Sequence, residues 1–242
     1  MKLTTLFLAG ASALVLTACD PASTTTDADT ETAATDVEAA ADTETEAEET
    51  GPLAGVATAT YSLDPTHAFL TFTVIHGGVS EYTVHFTDFD ADLDFNPEDL
   101  SASSINVTID PMGLNVNYPS DFKAGHADLP YETWPETLSK DERFLQAETY
   151  PEITFTSTSV EQTGETTGTV TGDLTFLGTT QPVTMDVTFN GTTNTPWTGE
   201  RDLLGFNAVT TFNRSAFGQT SLEGVISDEV RVEFTGEFLQ DE

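Results

Sequence analysis

The sequence predicts an all-β fold of about eight or nine short antiparallel strands, either a sandwich or a closed barrel, and three observations predict it. From about residue 58 onward apolar and polar residues alternate at period 2, as half-buried strands require, because successive side chains leave opposite faces. Gly, Pro, Asn and Asp interrupt these runs at hairpin spacing. All but one of the 16 Phe residues fall in this part of the chain, Phe7 being the exception, so the strands have the material for a common apolar face.

In chain order, Tyr61–His67 opens with a short strand and an Asp64-Pro65 turn. Ala68–Ile75 follows, with Leu70, Phe72 and Val74 on one parity, and Gly77-Gly78 ends it. In Glu81–Phe95, Val84 and Phe86 share one parity but Phe89, Ala91, Leu93 and Phe95 share the other, so a bulge or bend near Thr87-Asp88 is needed to bring all six to one face. After the Asn96–Asp99 turn, Ile105, Val107 and Ile109 mark another strand. Pro111–Pro151 then lacks period-2 order and spaces Tyr131, Trp134, Leu138, Phe144 and Leu145 as short helical turns would, which predicts a flank or lid with some helix. Ile153 and Phe155 resume the strands. Gly172–Gly191 predicts a β-hairpin with its turn at Gly178–Pro182; Leu174 and Phe176 precede the turn, and Val183, Met185, Val187 and Phe189 share one parity after it. Phe206–Phe212 and Glu229–Phe238 are the last strands.

The N-terminal part has a different composition. Lys2, an apolar run from Leu6 to Leu16 and Leu16-Thr17-Ala18-Cys19 form a secretion signal ending in a lipobox, so residues 1–18 are expected to be removed and Cys19 to carry lipid. Cys19 is the only cysteine, which excludes an intramolecular disulfide. Eleven of the 41 acidic residues lie between Asp20 and Pro52, without a base or an aromatic residue among them. Such a segment buries too little apolar surface to offset its ordering entropy, so residues 19–57 are expected to form a lipidated, disordered tether and 58–242 one folded domain. This organisation predicts a bacterial envelope protein, lipid-anchored on the periplasmic side. Asp20 directly after the cysteine favours the inner membrane by resemblance to lipoprotein sorting rules.

The net charge is −34 with seven Lys and Arg in all, which argues against nucleic acid and anionic head groups as partners, because phosphate sites need clustered bases. His67, His76 and His85 recur every nine residues, a step that flips the strand face, and no metal-ligand motif accompanies them. No GxSxG elbow or phosphate-cradling loop is present. The sequence therefore points to a non-enzymatic protein without a metal or cofactor. Arg214, directly after an apolar strand, could pair with a ligand head group, but an ion pair with a nearby carboxylate that closes a barrel end is the favoured expectation. An eight-stranded barrel is wide enough only to be filled by side chains or to hold one small ligand. The strand pattern leaves both open and by itself favours a filled core.

Six segments in order resemble the YceI-like family: Tyr61-x-x-Asp64-Pro65-x-His67; Phe72-x-Val74-x-His76-Gly77-Gly78; Phe86-x-x-Phe89-x-Ala91-x-Leu93-x-Phe95; Tyr150-Pro151-x-Ile153-Thr154-Phe155-x-Ser157-Thr158; Gly172-Asp173-Leu174-Thr175 with Gly178-x-Thr180-x-Pro182-Val183-Thr184; and Asn213-Arg214-Ser215-x-Phe217-Gly218. The resemblance implies an antiparallel, lipocalin-like barrel of about eight strands that holds a polyisoprenoid or isoprenoid quinone. It also implies a ligand-contacting wall, expected here at Phe72, Phe86, Phe89, Val107, Phe155, Phe176, Met185, Val187, Phe189, Phe212 and Phe234. The chain departs from the family's Arg-Asp-x-His-Leu segment, carrying Pro135-Glu136-Thr137-Leu138 and Asp141-Glu142-Arg143-Phe144 after an enlarged Asn115–Pro130. The alternative is an envelope interaction domain with a filled core that binds a protein partner.

Overall fold

A computed structural model describes residues 51–242. The expected signal peptide, the lipidated Cys19 and most of the tether lie outside the described residues. Among the described residues no helix is long and apolar enough to cross a membrane.

Eleven strand segments form a single antiparallel sheet: β1 (Ala59–Leu63), β2 (Phe69–His76), β3 (Ser80–Phe86), β4 (Phe89–Phe95), β5 (Ser104–Ile109), β6 (Leu114–Asn115), β7 (Ile153–Gln162), β8 (Thr167–Phe176), β9 (Thr179–Asn194), β10 (Asp202–Asn213) and β11 (Glu229–Gln240). The first six are three broken staves. β1 and β2 pair with successive stretches of β11, β1 pairs with β4 and β2 with β3, β5 pairs with β4, and β6 pairs with β3. With the five continuous strands β7–β11 they make eight staves. The ring closes where β11 meets β1, with Leu63 opposite Phe238 and Tyr61 opposite Gln240. The fold is thus a closed barrel, not a sandwich, and closure leaves no strand edge exposed around most of its girth.

The break in the second stave falls at Thr87-Asp88, where the parity change requires it. There the Thr87 N–H donates to the Gly113 carbonyl at 2.8 Å and the Asp110 N–H to the Asp88 carbonyl at 2.9 Å, so the bent chain keeps its backbone partners. The turn of the β8–β9 hairpin is tighter than the sequence predicts. Leu177 and Gly178 form it, with φ of 49° and 71°, a left-handed pair suited to a two-residue hairpin turn. Thr179–Gln181 are already paired, and Pro182 lies opposite Asp173 on the β8 side. β10 pairs with β9 only from Asp186 onward, so the missing Pro182 N–H interrupts no ladder to β10.

At the N-terminal edge of the domain Val56 is buried and Leu53 packs against the same cluster, so the ordered unit extends before residue 58. The core has two parts. One joins Tyr61, Leu93, Phe95, Phe189, Leu204 and Phe238 at the end where β1 begins; the other joins Leu70, Phe86, Ile109, Ile153, Phe176, Val183 and Phe217 nearer the opposite end. At that opposite end, β5 pairs with β7 only over Asn106–Ile109, and the long connection after β6 covers the region beyond. It contains α1 (Phe122–Gly125), capped by the Asp121 carboxylate, and α2 (Trp134–Lys140), capped by the Thr133 hydroxyl.

Candidate functional site: a barrel cavity under an aromatic lid

Between the two core clusters the barrel is hollow. A cavity of about 670 Å³ runs along its interior, within the range of small-molecule sites. All eleven residues expected on the wall line it: Phe72 on β2, Phe86 on β3, Phe89 on β4, Val107 on β5, Phe155 on β7, Phe176 on β8, Met185, Val187 and Phe189 on β9, Phe212 on β10 and Phe234 on β11. They meet because each sits at the inward parity of its stave. Phe86, Phe155, Phe176 and Phe189 are buried, whereas Phe72, Phe89, Val107, Met185, Val187, Phe212 and Phe234 are only half-buried. Since their strand faces point inward, that remaining surface opens into the cavity. The filled core that the strand pattern favours is not what the chain builds.

Phe95, Phe189, Phe206 and Phe238 pack ring to ring across one end, with centroids 5.3–5.9 Å apart along the chain of contacts. Beside them the Tyr61 hydroxyl donates to the Ala57 carbonyl at 2.8 Å. Burial, reinforced by Asp202, pushes its pKa up to about 12. The lining also reaches the β7–β8 hairpin tip, where residues 161–167 are exposed.

The opposite end carries what the sequence pattern missed. The enlarged connection brings Tyr118, His126 and Trp134 onto the cavity wall beside Tyr82 of β3. Phe122 and His126 stack with centroids 4.6 Å apart and 13° between planes, and His126 stacks on Trp134 at 5.7 Å and 25°. Phe144 meets Trp134 edge-on at 5.8 Å. The Trp134 indole N–H donates to the Tyr82 hydroxyl at 2.7 Å, tying lid to barrel. Burial pushes the Tyr82 hydroxyl above the ordinary phenol range, so it stays protonated and able to donate. The spacing of Trp134 and Phe144 signals the lid, but Tyr118, Phe122 and His126 have no periodicity that would reveal them.

Among the described residues Arg214 does not make the expected ion pair. Its guanidinium is buried and donates to the carbonyls of Ser227 (2.9 Å), Gln219 (3.1 Å), Ser221 (2.7 Å) and Ile226 (3.3 Å) and to the Gln219 amide oxygen (3.4 Å). Burial lowers its pKa against the opposing pull of Asp228 and Glu223. The Asp228 carboxylate instead accepts from the N–H and hydroxyl of Ser215. Arg214 therefore does close a barrel end, by gathering the 219–227 loop around one cation, and Gln219 extends the clamp by donating to the carbonyls of Arg143 and Phe144, each at 2.8 Å.

The three regularly spaced histidines stay apart. His85 faces Thr71 and His76 faces Ser80, at opposite ends of the β2–β3 hairpin. Exposed His67 joins half-buried Asp64 and Glu237 in a group whose ligand atoms lie within 4.8 Å of one another. Its ring nitrogen Nδ1 is 2.8 Å from the Asp64 carboxylate, a contact that raises the His67 pKa.

A closed antiparallel barrel around an apolar cavity defines the class, a hollow β-barrel. Residues 61–238 match the model of the YceI-like domain, and the chain belongs to that family. A UPF0312 protein of Pseudomonas putida (strain GB-1) is 40% identical over 162 residues, covering 66% of this chain and 76% of the relative. A UPF0312 protein of Ectopseudomonas mendocina (strain ymp) is 34% identical over 176 residues, 72% of this chain and 84% of the relative. Among solved structures, Burkholderia cenocepacia BcnA superposes with a TM-score of 0.58 at 22% identity, covering 74% of this chain and 99% of that one. The Campylobacter jejuni YCEI protein gives 0.56 at 25%, covering 68% and 88%. A polyisoprenoid binding domain from Saccharophagus degradans gives 0.51 at 17%, covering 75% and 98%.

Proposed function

We propose that this protein is a membrane-tethered periplasmic carrier that sequesters or transports an isoprenoid-type lipid, a polyprenyl or quinone molecule, in its barrel. The single observation that carries this reading is the 670 Å³ apolar cavity. Removing hydrocarbon from water contributes about 0.8 kcal/mol per CH₂, and flexible Met185 beside the Phe residues suits a chain that must bend along the barrel. The polyisoprenoid binding assigned by name to the Saccharophagus degradans domain supports the ligand class. Lipid on Cys19 gives the tether its anchor, and Asp20 favours the inner membrane. The cavity's function is binding, and it needs no catalytic group or cofactor.

Native mass spectrometry of the full-length protein purified from envelope extracts tests the reading. The expected result is a population carrying a lipid adduct that organic extraction identifies as isoprenoid. Protein that is repeatedly ligand-free and takes up neither polyprenol nor isoprenoid quinone overturns it. Cys19→Ser should release the protein from membranes into the soluble fraction; unchanged membrane association sinks the lipid anchor.

A further inference from the structure

The polar groups of the cavity wall are unevenly placed. Those of the β7–β8 hairpin tip are exposed and include Glu161 and Glu165, so a head group there remains in water beside carboxylates. At the lid end, polar atoms sit among aromatic rings. The acceptor side of the Tyr82 hydroxyl is filled by the Trp134 N–H at 2.7 Å, and among the described residues its own proton has no protein acceptor. Accepting one hydrogen bond polarises a hydroxyl toward donating the next.

His126 supplies the complementary group. Its Nδ1 lies 3.2 Å from the Phe122 carbonyl, which can only accept, and 3.5 Å from the Tyr118 hydroxyl; the tautomer that serves the nearer carbonyl carries its proton on Nδ1 and presents Nε2 as an acceptor. Nε2 has no protein partner among the described residues. The two guanidinium groups on this part of the wall are already engaged. Arg143 makes a bidentate pair with Asp141 at 2.8 and 2.9 Å, and Arg214 is ringed by loop carbonyls. A phosphate head would meet neither as a free partner, and burying it unpaired is strongly unfavourable.

We propose that Tyr82 and His126, held by the Phe122–His126–Trp134 stack, form a head-group site for a neutral, oxygen-bearing group at the end of the hydrocarbon. The ligand oxygen accepts from the Tyr82 hydroxyl; a head with its own proton, such as an isoprenol hydroxyl, also donates to His126 Nε2, whereas a quinone carbonyl uses Tyr82 alone. This rests on the carrier reading and adds that the enlarged lid selects the head.

The test compares three probes of equal tail length on the full-length protein: an isoprenoid quinone, the isoprenol and the oxygen-free isoprenoid hydrocarbon, competed in pairs and read by native mass spectrometry. Wild type should prefer the quinone to the hydrocarbon by roughly two- to tenfold, the worth of one hydrogen bond, and the isoprenol, which makes two, by more. Tyr82→Phe should abolish the preference for the quinone over the hydrocarbon and lower, without abolishing, that for the isoprenol, which keeps its bond to His126, while hydrocarbon binding holds; His126→Phe should lower the isoprenol preference only. Trp134→Phe, which keeps a ring in the lid but removes the N–H, should weaken both preferences and covers the case in which Tyr82→Phe does not fold. Equal binding of all three probes by wild type, or a Tyr82→Phe loss that is the same for all three, overturns the head site and leaves the carrier reading standing. Binding of no probe overturns both.

Discussion

Gly172 of β8 lies directly beneath the ring of Phe155 on β7: a β-carbon at Gly172 would run into the ring and come within 2.5 Å of the Thr156 carbonyl oxygen. The position is opposite Ser157, where the β7–β8 register shifts, and space rather than backbone conformation demands glycine there. Gly172→Ala should cost about 1–3 kcal/mol by overpacking, measured by urea unfolding. It should also push Phe155 into the cavity and reduce hydrocarbon uptake. Unchanged stability and uptake would show that the ring yields freely.

Met185 and Asp186 are neighbours on β9 with opposite fates, the first half-buried on the cavity wall and the second exposed. Met185→Asn places an unpaired amide against hydrocarbon, at about 1–3 kcal/mol, and should weaken isoprenoid retention about tenfold or more. Asp186→Asn should leave retention within about twofold. Equal effects would mean that the ligand does not touch this strand.

Arg214 holds the 219–227 loop through bonds to four carbonyls. Arg214→Lys keeps the charge but loses the planar fork, and each buried carbonyl left without a donor costs about 1–3 kcal/mol. Both Arg214→Lys and Arg214→Ala should destabilise the domain by several kcal/mol on that basis and speed amide exchange in 219–227 ahead of the β-staves. Full stability in Arg214→Lys would contradict the clamp.

Asp141 should give acid sensitivity. It accepts from the Arg143 backbone N–H, Nε and Nη2 at 3.0, 2.8 and 2.9 Å. The Arg143 side chain holds its carboxyl below the usual carboxylate range, overcoming burial. Because the folded value is depressed, this stabilisation is present above the unfolded value of about 4 and disappears as pH falls through the folded one. Asp141→Asn should be less stable than wild type by about 1–2 kcal/mol at pH 7, and the gap should close below about pH 4. Urea unfolding at stepped pH measures it, and a gap independent of pH refutes the assignment.

The sequence by itself determined which side chains share a face. Alternation is local, so the inward positions of each strand, the break at Thr87-Asp88 and the aromatic wall from Phe72 to Phe234 were legible from neighbours one or two residues apart. The same pattern suits a filled core and a hollow one, because parity says which way a side chain points and nothing of how far away its opposite number lies. Barrel closure, with Leu63 against Phe238, and the cavity it encloses depend on pairing over more than 170 residues and on the curvature of the whole sheet, which only the tertiary structure decided. It also decided the partners of Arg214, since folded loop carbonyls reached the guanidinium where a carboxylate was expected. The lid belongs to the same class: Tyr118, Phe122 and His126 converge on Trp134 through a connection without periodicity, and Tyr82 reaches them from a distant strand.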